Sequence, residues 1–210
     1  LRPLALAGLL SGVALPAVAD ITPAEVWGDW QRLLETYGVT VGVGDERAAG
    51  DALTVTDVAL AYEFPGEGGS FATTIPELSF EDRGDGTVEI TISPEFAVDI
   101  SGTDEETGAD FAFTARVLQP GLATVASREG DTTRYDYAAP EVSALIEGIE
   151  VDGDDVDVTI EAAVSGVTGG YDLIEGSPRR FVTRQRGDAL AITVVGTDLE
   201  DPDTTFDIDL

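Results

Sequence analysis

Beyond Gly38, apolar and polar side chains alternate with a period of two along most of the sequence. The clearest runs place Val88, Ile90 and Ile92 on one side of a strand, and the even positions from 156 to 164 repeat the pattern. This period is typical of a β-strand with one apolar and one solvated face, as in antiparallel sheets. The alternation therefore predicts an antiparallel sheet, and no βαβ pattern is present.

The same periodicity predicts about ten strands, separated by turn sequences rich in Gly and Asp. The predicted strands cover residues 53–62, 71–80, 88–92, 96–100, 111–118, 122–126, 133–138, 142–151, 156–164, 190–194 and 206–210. The predicted hairpin turns cover 83–86, 129–131, 152–154 and 186–188. Such short connections make consecutive strands neighbours in the sheet.

A sheet with one continuous apolar face cannot remain flat in water, because exposing that face costs about 25 cal/mol per Å². The chain has no Cys, so disulfides cannot compensate for a poor core. The fold predicted is therefore mainly β: an antiparallel meander curled into a trough, an open barrel or a sandwich. One N-terminal helix is expected to cover it.

That helix is predicted over residues 23–37. Thr22, Pro23 and Glu25 form a helix start with a capping box, and Gly38 is a natural stop. The apolar stripe includes Trp27 and Trp30, which are the two tryptophans of the chain. Packing of the helix on the sheet is the favoured interpretation. The alternative is that Trp27 and Trp30 form an aromatic clamp for a ligand or for a membrane interface.

Residues 1–19 have the pattern of a secretory signal peptide. Arg2 precedes an apolar run over 4–15, and Ala17 and Ala19 occupy the positions required for cleavage after Ala19. We therefore expect a periplasmic or secreted protein with a single β-rich domain over 20–210. No transmembrane segment is expected in the mature chain. Leu210 ends an alternating run, so we expect the natural protein to continue beyond it.

Composition excludes most catalytic chemistry. With no Cys, His or Lys, the chain cannot form thiolate nucleophiles, Ser-His-Asp triads or lysine Schiff bases. Its 41 acidic residues against 11 basic ones give a formal net charge of −30, which disfavours nucleic acid as a partner. We predict that the protein is not an enzyme. A carboxylate-dependent hydrolase acting through paired acids is retained as an alternative.

Clusters of acidic residues are the candidate metal sites. The densest contains Asp152, Asp154, Asp155 and Asp157, and such oxygens could hold calcium. The spacing departs from that of an EF-hand, since Val156 stands where the third oxygen ligand belongs. Solvated turns are the favoured interpretation, and the prediction is limited to weak divalent-cation binding with no other cofactor.

The most unusual local feature is a group of arginines at 179, 180, 184 and 186. On a strand, Arg180, Arg184 and Arg186 would share one face. Guanidinium groups bind carboxylates and phosphates bidentately, which makes these three residues candidates for an anionic headgroup or sugar-acid site. The alternative, which we favour, is that they neutralise acidic residues on neighbouring strands.

Several segments resemble one family of exported alphaproteobacterial proteins, those that carry domain of unknown function 2125. The similar segments are TPAEVWGDW at 22–30, GDALTV at 50–55, DRGDGTVE at 82–89, QPGL at 119–122 and GVTGGY at 166–171. The resemblance extends through most of the mature chain. It implies an envelope location and a β-rich fold, and it implies no catalytic residue.

These observations predict a non-catalytic envelope protein that binds or carries an apolar or amphipathic, lipid-like ligand inside its curled sheet. An interaction module that binds another envelope protein through sheet edges or acidic loops is the first alternative, and the hydrolase is the second.

Overall fold

The computed structural model describes residues 20–65, 68–104, 106–176, 180–197 and 205–209. The predicted signal peptide lies outside them. One helix, α1, spans Pro23–Thr36. The strands are β1 Thr40–Gly42, β2 Asp45–Ala49, β3 Ala52–Phe64, β4 Gly69–Asp82, β5 Thr87–Ile92, β6 Glu95–Thr103, β7 Asp110–Leu118, β8 Ala123–Glu129, β9 Thr132–Val151, β10 Asp154–Val156, β11 Val158–Ile174, β12 Arg180–Arg186, β13 Ala189–Thr197 and β14 Thr205–Asp209.

All strands pair antiparallel in one sheet, which confirms the predicted mainly β meander with one N-terminal helix. Short strands follow one another in register along a long neighbour. β5 and β6 pair in turn with β4, while β7 and β8 pair in turn with β9. β5 also pairs with β8, and β6 with β7. The pairings of β4, β5, β8, β9, β7 and β6 therefore form a closed loop around two breaks, one between β5 and β6 and one between β7 and β8.

Two predicted connections are wrong. The hairpin expected at 186–188 is a break between β12 and β13, which both pair with β11. A Cβ at Gly187 would lie 2.6 Å from Val164 Cγ1 on β11, so a larger residue at this break would displace Val164. The strands expected at 133–138 and 142–151 form the single strand β9, which contains Pro140. The fully exposed strand β2 lacks the alternation that would have predicted it.

The other predicted turns are confirmed where the structure describes both flanking strands. At the β9–β10 turn, Asp152 and Gly153 have φ values of 53° and 82°. Positive φ at both central residues is the type I′ geometry that matches the twist of a two-residue hairpin. This turn geometry places β9 and β10 side by side in the sheet.

The helix begins as its sequence predicts. Thr22 accepts a hydrogen bond from the Glu25 amide at 3.3 Å, and Glu25 Oε2 accepts one from the Thr22 amide at 2.9 Å. This capping box satisfies two amide groups that would otherwise lack partners. The chain turns out of the helix at Gly38, where φ is 83°.

The sheet curls around α1. The ring of Trp30 lies 5.5 Å from that of Phe80 on β4 and 6.1 Å from that of Tyr135 on β9, between ring centroids. Two strands, β5 and β8, separate β4 from β9, which in a flat sheet places them about 14 Å apart. Contact of one indole with both strands therefore requires the sheet to bend toward the helix.

The core occupies only one half of this trough. We call β5, β8, β12 and the adjoining parts of β3, β4, β9 and β11 the covered half, since α1 lies over them. We call β6, β7, β13 and the adjoining parts of β4, β9 and β11 the open half. Among the described residues, every fully buried apolar side chain on the sheet belongs to the covered half.

Candidate ligand-binding site

The apolar face of the sheet continues from the covered half into the open half. Strand register places five apolar side chains in one row across five strands: Val98, Ala115, Ile146, Ile160 and Val194. A second row contains Phe96, Val117, Ala144, Ala162 and Ile192. Both rows follow the alternation within each strand, because successive side chains on a strand point to opposite faces. Between the two halves the alternation shifts by one position, at Asp57 of β3 and Gly166 of β11, whose φ values are 51° and 59°. The ladder skips the pairs that these two residues would form with Pro76 and Pro140, so odd positions of β9 and β11 in the covered half and even positions in the open half share the inner face.

The other face of the open half is polar. In the row adjacent to Ile146, the side chains are Ala97, Arg116, Leu145, Glu161 and Thr193. Arg116 contacts Glu147 at 2.6 Å on this face. The charged groups therefore lie outside the trough, and its inner face carries none along the two apolar rows.

The apolar rows of the open half are partly exposed. Ile146 and Ile160 are half-buried, whereas Leu190, which continues the apolar face on β13, is 61% exposed. None of the described segments packs over these rows as α1 packs over the covered half. A contiguous apolar face that is only partly shielded from water is typical of an interaction or ligand site.

A small cavity lies where the two halves meet. It has a volume of about 220 Å³, and its walls are Trp27, Trp30, Leu33 and Leu34 of α1 together with Val58, Leu60, Ile75, Leu78, Ile92 and Tyr171 of the sheet. Ile75 and Tyr171 lie on β4 and β11, four strand positions apart. Both can line one small cavity only because the sheet is curled.

The two tryptophans occupy the sheet-facing side of α1. The indole nitrogen of Trp27 donates a hydrogen bond to Glu46 at 3.2 Å, and its ring lies 5.9 Å from that of Phe80. Trp30 Nε1 is shielded from solvent. Both residues pack the helix onto the sheet and also line the cavity, so the structure places them at the candidate site.

Tyr171 forms the opposite wall of this cavity. Burial raises the pKa of its hydroxyl well above the ordinary value, so the group is neutral at physiological pH. Its ring stacks on Tyr135 at 4.5 Å and contacts Phe181 at 5.2 Å. This aromatic cluster extends the apolar lining from β9 to the free edge strand β12.

The structure separates the three candidate arginines of β12. Arg184 donates to Asp172 at 3.0 Å, and Arg134 donates to the same carboxylate at 2.9 Å. These hydrogen bonds, first that of Arg184 and then that of Arg134, lower the pKa of Asp172 to about 2. Arg186 lies 3.8 Å from Asp188. Arg184 thus neutralises an acidic neighbour, as the alternative interpretation of the cluster expects.

Arg180 is placed differently. It lines a second cavity, of about 420 Å³, between the C-terminal end of α1 and the start of β12. The other walls are Arg32, Leu33, Glu35, Thr36, Tyr37, Leu173 and Phe181. Arg179, the fourth arginine of the sequence cluster, lies outside the described residues.

The four candidate metal ligands lie on the β9–β10 hairpin and its connection to β11. Asp152 accepts a hydrogen bond from the Asp110 amide at 2.9 Å, and Asp155 is opposite Glu150 in the ladder. Asp154 and Asp157 complete the candidate set. Among the residues that the structure describes, no group of three or more acidic side chains is arranged to hold a metal ion.

Sequence reasoning missed the ionic network that fixes the helix. Asp29, only 3% exposed, accepts from Arg128 of β8 at 3.3 Å and also pairs with Arg32. Arg128 donates in addition to Glu25 at 3.0 Å. The spacing of three residues between Asp29 and Arg32 on a helix could have predicted their ion pair. Nothing local connects either residue to Arg128.

Comparisons with known proteins identify no relative. No protein-family model matches the chain, and neither a curated protein nor a solved structure is similar to it. The resemblance to domain of unknown function 2125 therefore stays a prediction. Within the described part of the chain, α1 is too short and too polar to span a membrane, and no other helix is present.

Proposed function

We propose that this protein is a non-catalytic carrier that binds an acyl-chain amphiphile in the open half of its curled sheet. The observation that carries the proposal is an apolar face that no described segment covers, whose two rows cross five strands and continue into the cavity beneath α1. An export signal over residues 1–19 and an envelope location form part of the same proposal.

The dimensions of the open half suit a lipid chain. From Val158 to Val164, β11 extends about 20 Å at 3.3 Å per residue, and five strands span about 19 Å at 4.8 Å per spacing. Half of a bilayer's hydrocarbon core, the thickness occupied by one acyl chain, is about 15 Å. A single acyl chain therefore fits within the rows, with its end in the cavity beside Trp30 and Tyr171.

Charge favours a lipid over a second copy of the chain as the occupant. Each copy has a formal net charge of −30. Two copies that packed their troughs together would bring these charges into proximity, whereas an acyl chain adds no charge to the apolar rows. Burial of each CH₂ group contributes about 0.8 kcal/mol, which is sufficient for reversible binding.

Tryptophan fluorescence provides a direct test, because both tryptophans line the cavity. Titration of the full chain with 9,10-dibromostearate should quench their emission saturably, since bromine quenches only at short range. Ile146→Gln, which places an amide in the apolar row, should weaken binding about tenfold. Leu145→Gln makes the same kind of change on the opposite face of β9 and should leave binding unchanged.

Lipid extraction and native mass spectrometry of protein purified from its own host should show a bound amphiphile. Absence of saturable quenching together with absence of any bound lipid would overturn the carrier proposal. Equal effects of Ile146→Gln and Leu145→Gln, with both variants folded by circular dichroism, would show that binding does not occur on the inner face.

A further inference from the structure

Arg180 differs from the other arginines in its electrostatic environment. Each of the others in the described residues has a carboxylate within 4 Å: Arg32, Arg47, Arg83, Arg116, Arg128, Arg134, Arg184 and Arg186. Arg180 has none in this part of the chain, although the sequence contains 41 acidic residues. Among the arginines that the structure describes, Arg180 is therefore the exception.

Arg180 is exposed and borders a cavity beside the helix. The 420 Å³ cavity has an apolar wall formed by Leu33, Leu173 and Phe181, and a second arginine, Arg32, lines it as well. Glu35 is the one acidic residue of its lining, against the two arginines. The lining has a net positive charge within an otherwise acidic molecule.

This cavity adjoins the apolar cavity beneath α1. Leu33 lines both, and Phe181 of the first contacts Tyr171 of the second at 5.2 Å. The positive site and the apolar site are thus neighbours on the same side of the helix. A ligand that occupies both must have an anionic group at one end and a hydrocarbon chain at the other.

We infer that Arg180, assisted by Arg32, binds the anionic headgroup of the ligand, a carboxylate or a phosphate. This inference rests on the proposed function and specifies its ligand class. A guanidinium remains charged at every physiological pH and can donate two parallel hydrogen bonds to either group. Arg32 contributes less because Asp29 already occupies one side of its guanidinium.

The experiment compares charged and uncharged ligands with the same chain. The full-length protein is titrated at low salt with 9,10-dibromostearate and with its methyl ester, with tryptophan quenching as the signal. Arg180→Gln should lower the affinity for the carboxylate about fivefold and leave that for the ester unchanged. The difference should decrease in 0.5 M NaCl, because salt screens exposed charges.

Arg47→Gln is the matched control. It removes the same charge from an exposed strand where Arg47 pairs only with Asp45, at 3.2 Å, so neither affinity should change. Competition by lysophosphatidic acid, compared with a neutral monoacylglycerol, distinguishes a phosphate from a carboxylate headgroup. Tighter competition by the phosphate would identify a phospholipid, and weaker competition a fatty acid.

The outcomes separate the two proposals. If Arg180→Gln binds both compounds as the parent does, or weakens both equally, the headgroup site is overturned while the carrier function stands. If neither compound quenches the parent protein, the proposed function itself fails. Loss of carboxylate binding in Arg47→Gln would show that overall charge, and not this cavity, controls affinity.

Discussion

Asp29 provides the sharpest test of how the helix is held on the sheet. It is almost completely buried, and its carboxylate contacts two arginines, Arg32 on α1 and Arg128 on β8. Arg128 is itself only 23% exposed. Replacement of Asp29 by Asn retains the shape of the side chain but leaves Arg128 partly buried with Glu25 as its remaining carboxylate partner.

The magnitude follows from the exposure of the two arginines. Removal of one partner of a buried ion pair costs about 3–5 kcal/mol. Arg32 is 58% exposed and can be hydrated after the change, while Arg128 retains Glu25 at 3.0 Å. We therefore expect Asp29→Asn to lower the free energy of unfolding by about 2–3 kcal/mol. For a domain of this size, the melting temperature falls by about 4–12 °C.

Urea unfolding followed by tryptophan fluorescence measures this effect at the helix, because both tryptophans lie on it. Asp45→Asn is the control, since the Asp45–Arg47 pair is largely exposed; it should change stability by less than about 0.5 kcal/mol. The Asp29→Asn and Arg128→Gln changes should be coupled by more than about 1 kcal/mol in a double-mutant cycle. Additive effects, or an Asp29→Asn protein as stable as the control, would refute this account of helix docking.

Three further predictions concern the core, the outer face and the glycines. Phe80→Ala, which removes a fully buried ring between Trp27 and Trp30, should cost about 3–5 kcal/mol in urea unfolding. The pKa of Asp172 is about 2 in the folded protein, below its ordinary value of 3.8. Its contribution, about 1 kcal/mol after solvent screening, should therefore be present above pH 4 and lost as the pH falls toward 2. Asp172→Asn should lack this part of the acid dependence, and an identical loss in both proteins would contradict it. Gly28→Ala should stabilise the helix by about 0.5–1 kcal/mol, because the new methyl meets only Arg32 Nη1 at 3.4 Å. Gly170→Ala should instead destabilise the protein, since its Cβ would lie 2.6 Å from the Tyr135 carbonyl oxygen; thermal melts that rank the two variants the other way would contradict the reasoning.

Most of the fold could be predicted from the sequence because it depends on local patterns. The capping box at Thr22 and the alternation around Ile90 and Ile160 each involve residues close in sequence, and their geometry is set by helix and strand periodicity. The same alternation predicted which side chains would share the apolar face. β2 escaped prediction because its exposed residues lack an apolar face, and the break at Gly187 looked like a hairpin turn because both use the same residue types.

The sequence predicted which types of residue would form the candidate site, but not which of them would lie close together. The arginines of β12 share one parity, yet Arg184 pairs with Asp172 of the adjacent strand while Arg180 borders a cavity beside the helix. That distinction depends on which strand lies next to β12 and on how the helix crosses the trough. Neither is encoded within a window of ten or twenty residues.

By itself, the sequence determined that this chain forms an antiparallel sheet with one apolar face and a capped helix, and that cysteine, histidine and lysine chemistry is absent. Only the tertiary structure decided which half of that face the helix covers and which carboxylate each arginine pairs with. It also decided where cavities remain between the helix and the sheet. Side-chain direction along a strand repeats every two residues and is therefore local. Curvature of the sheet brings together residues as distant as Glu25 and Arg128, and that depends on packing of the whole chain.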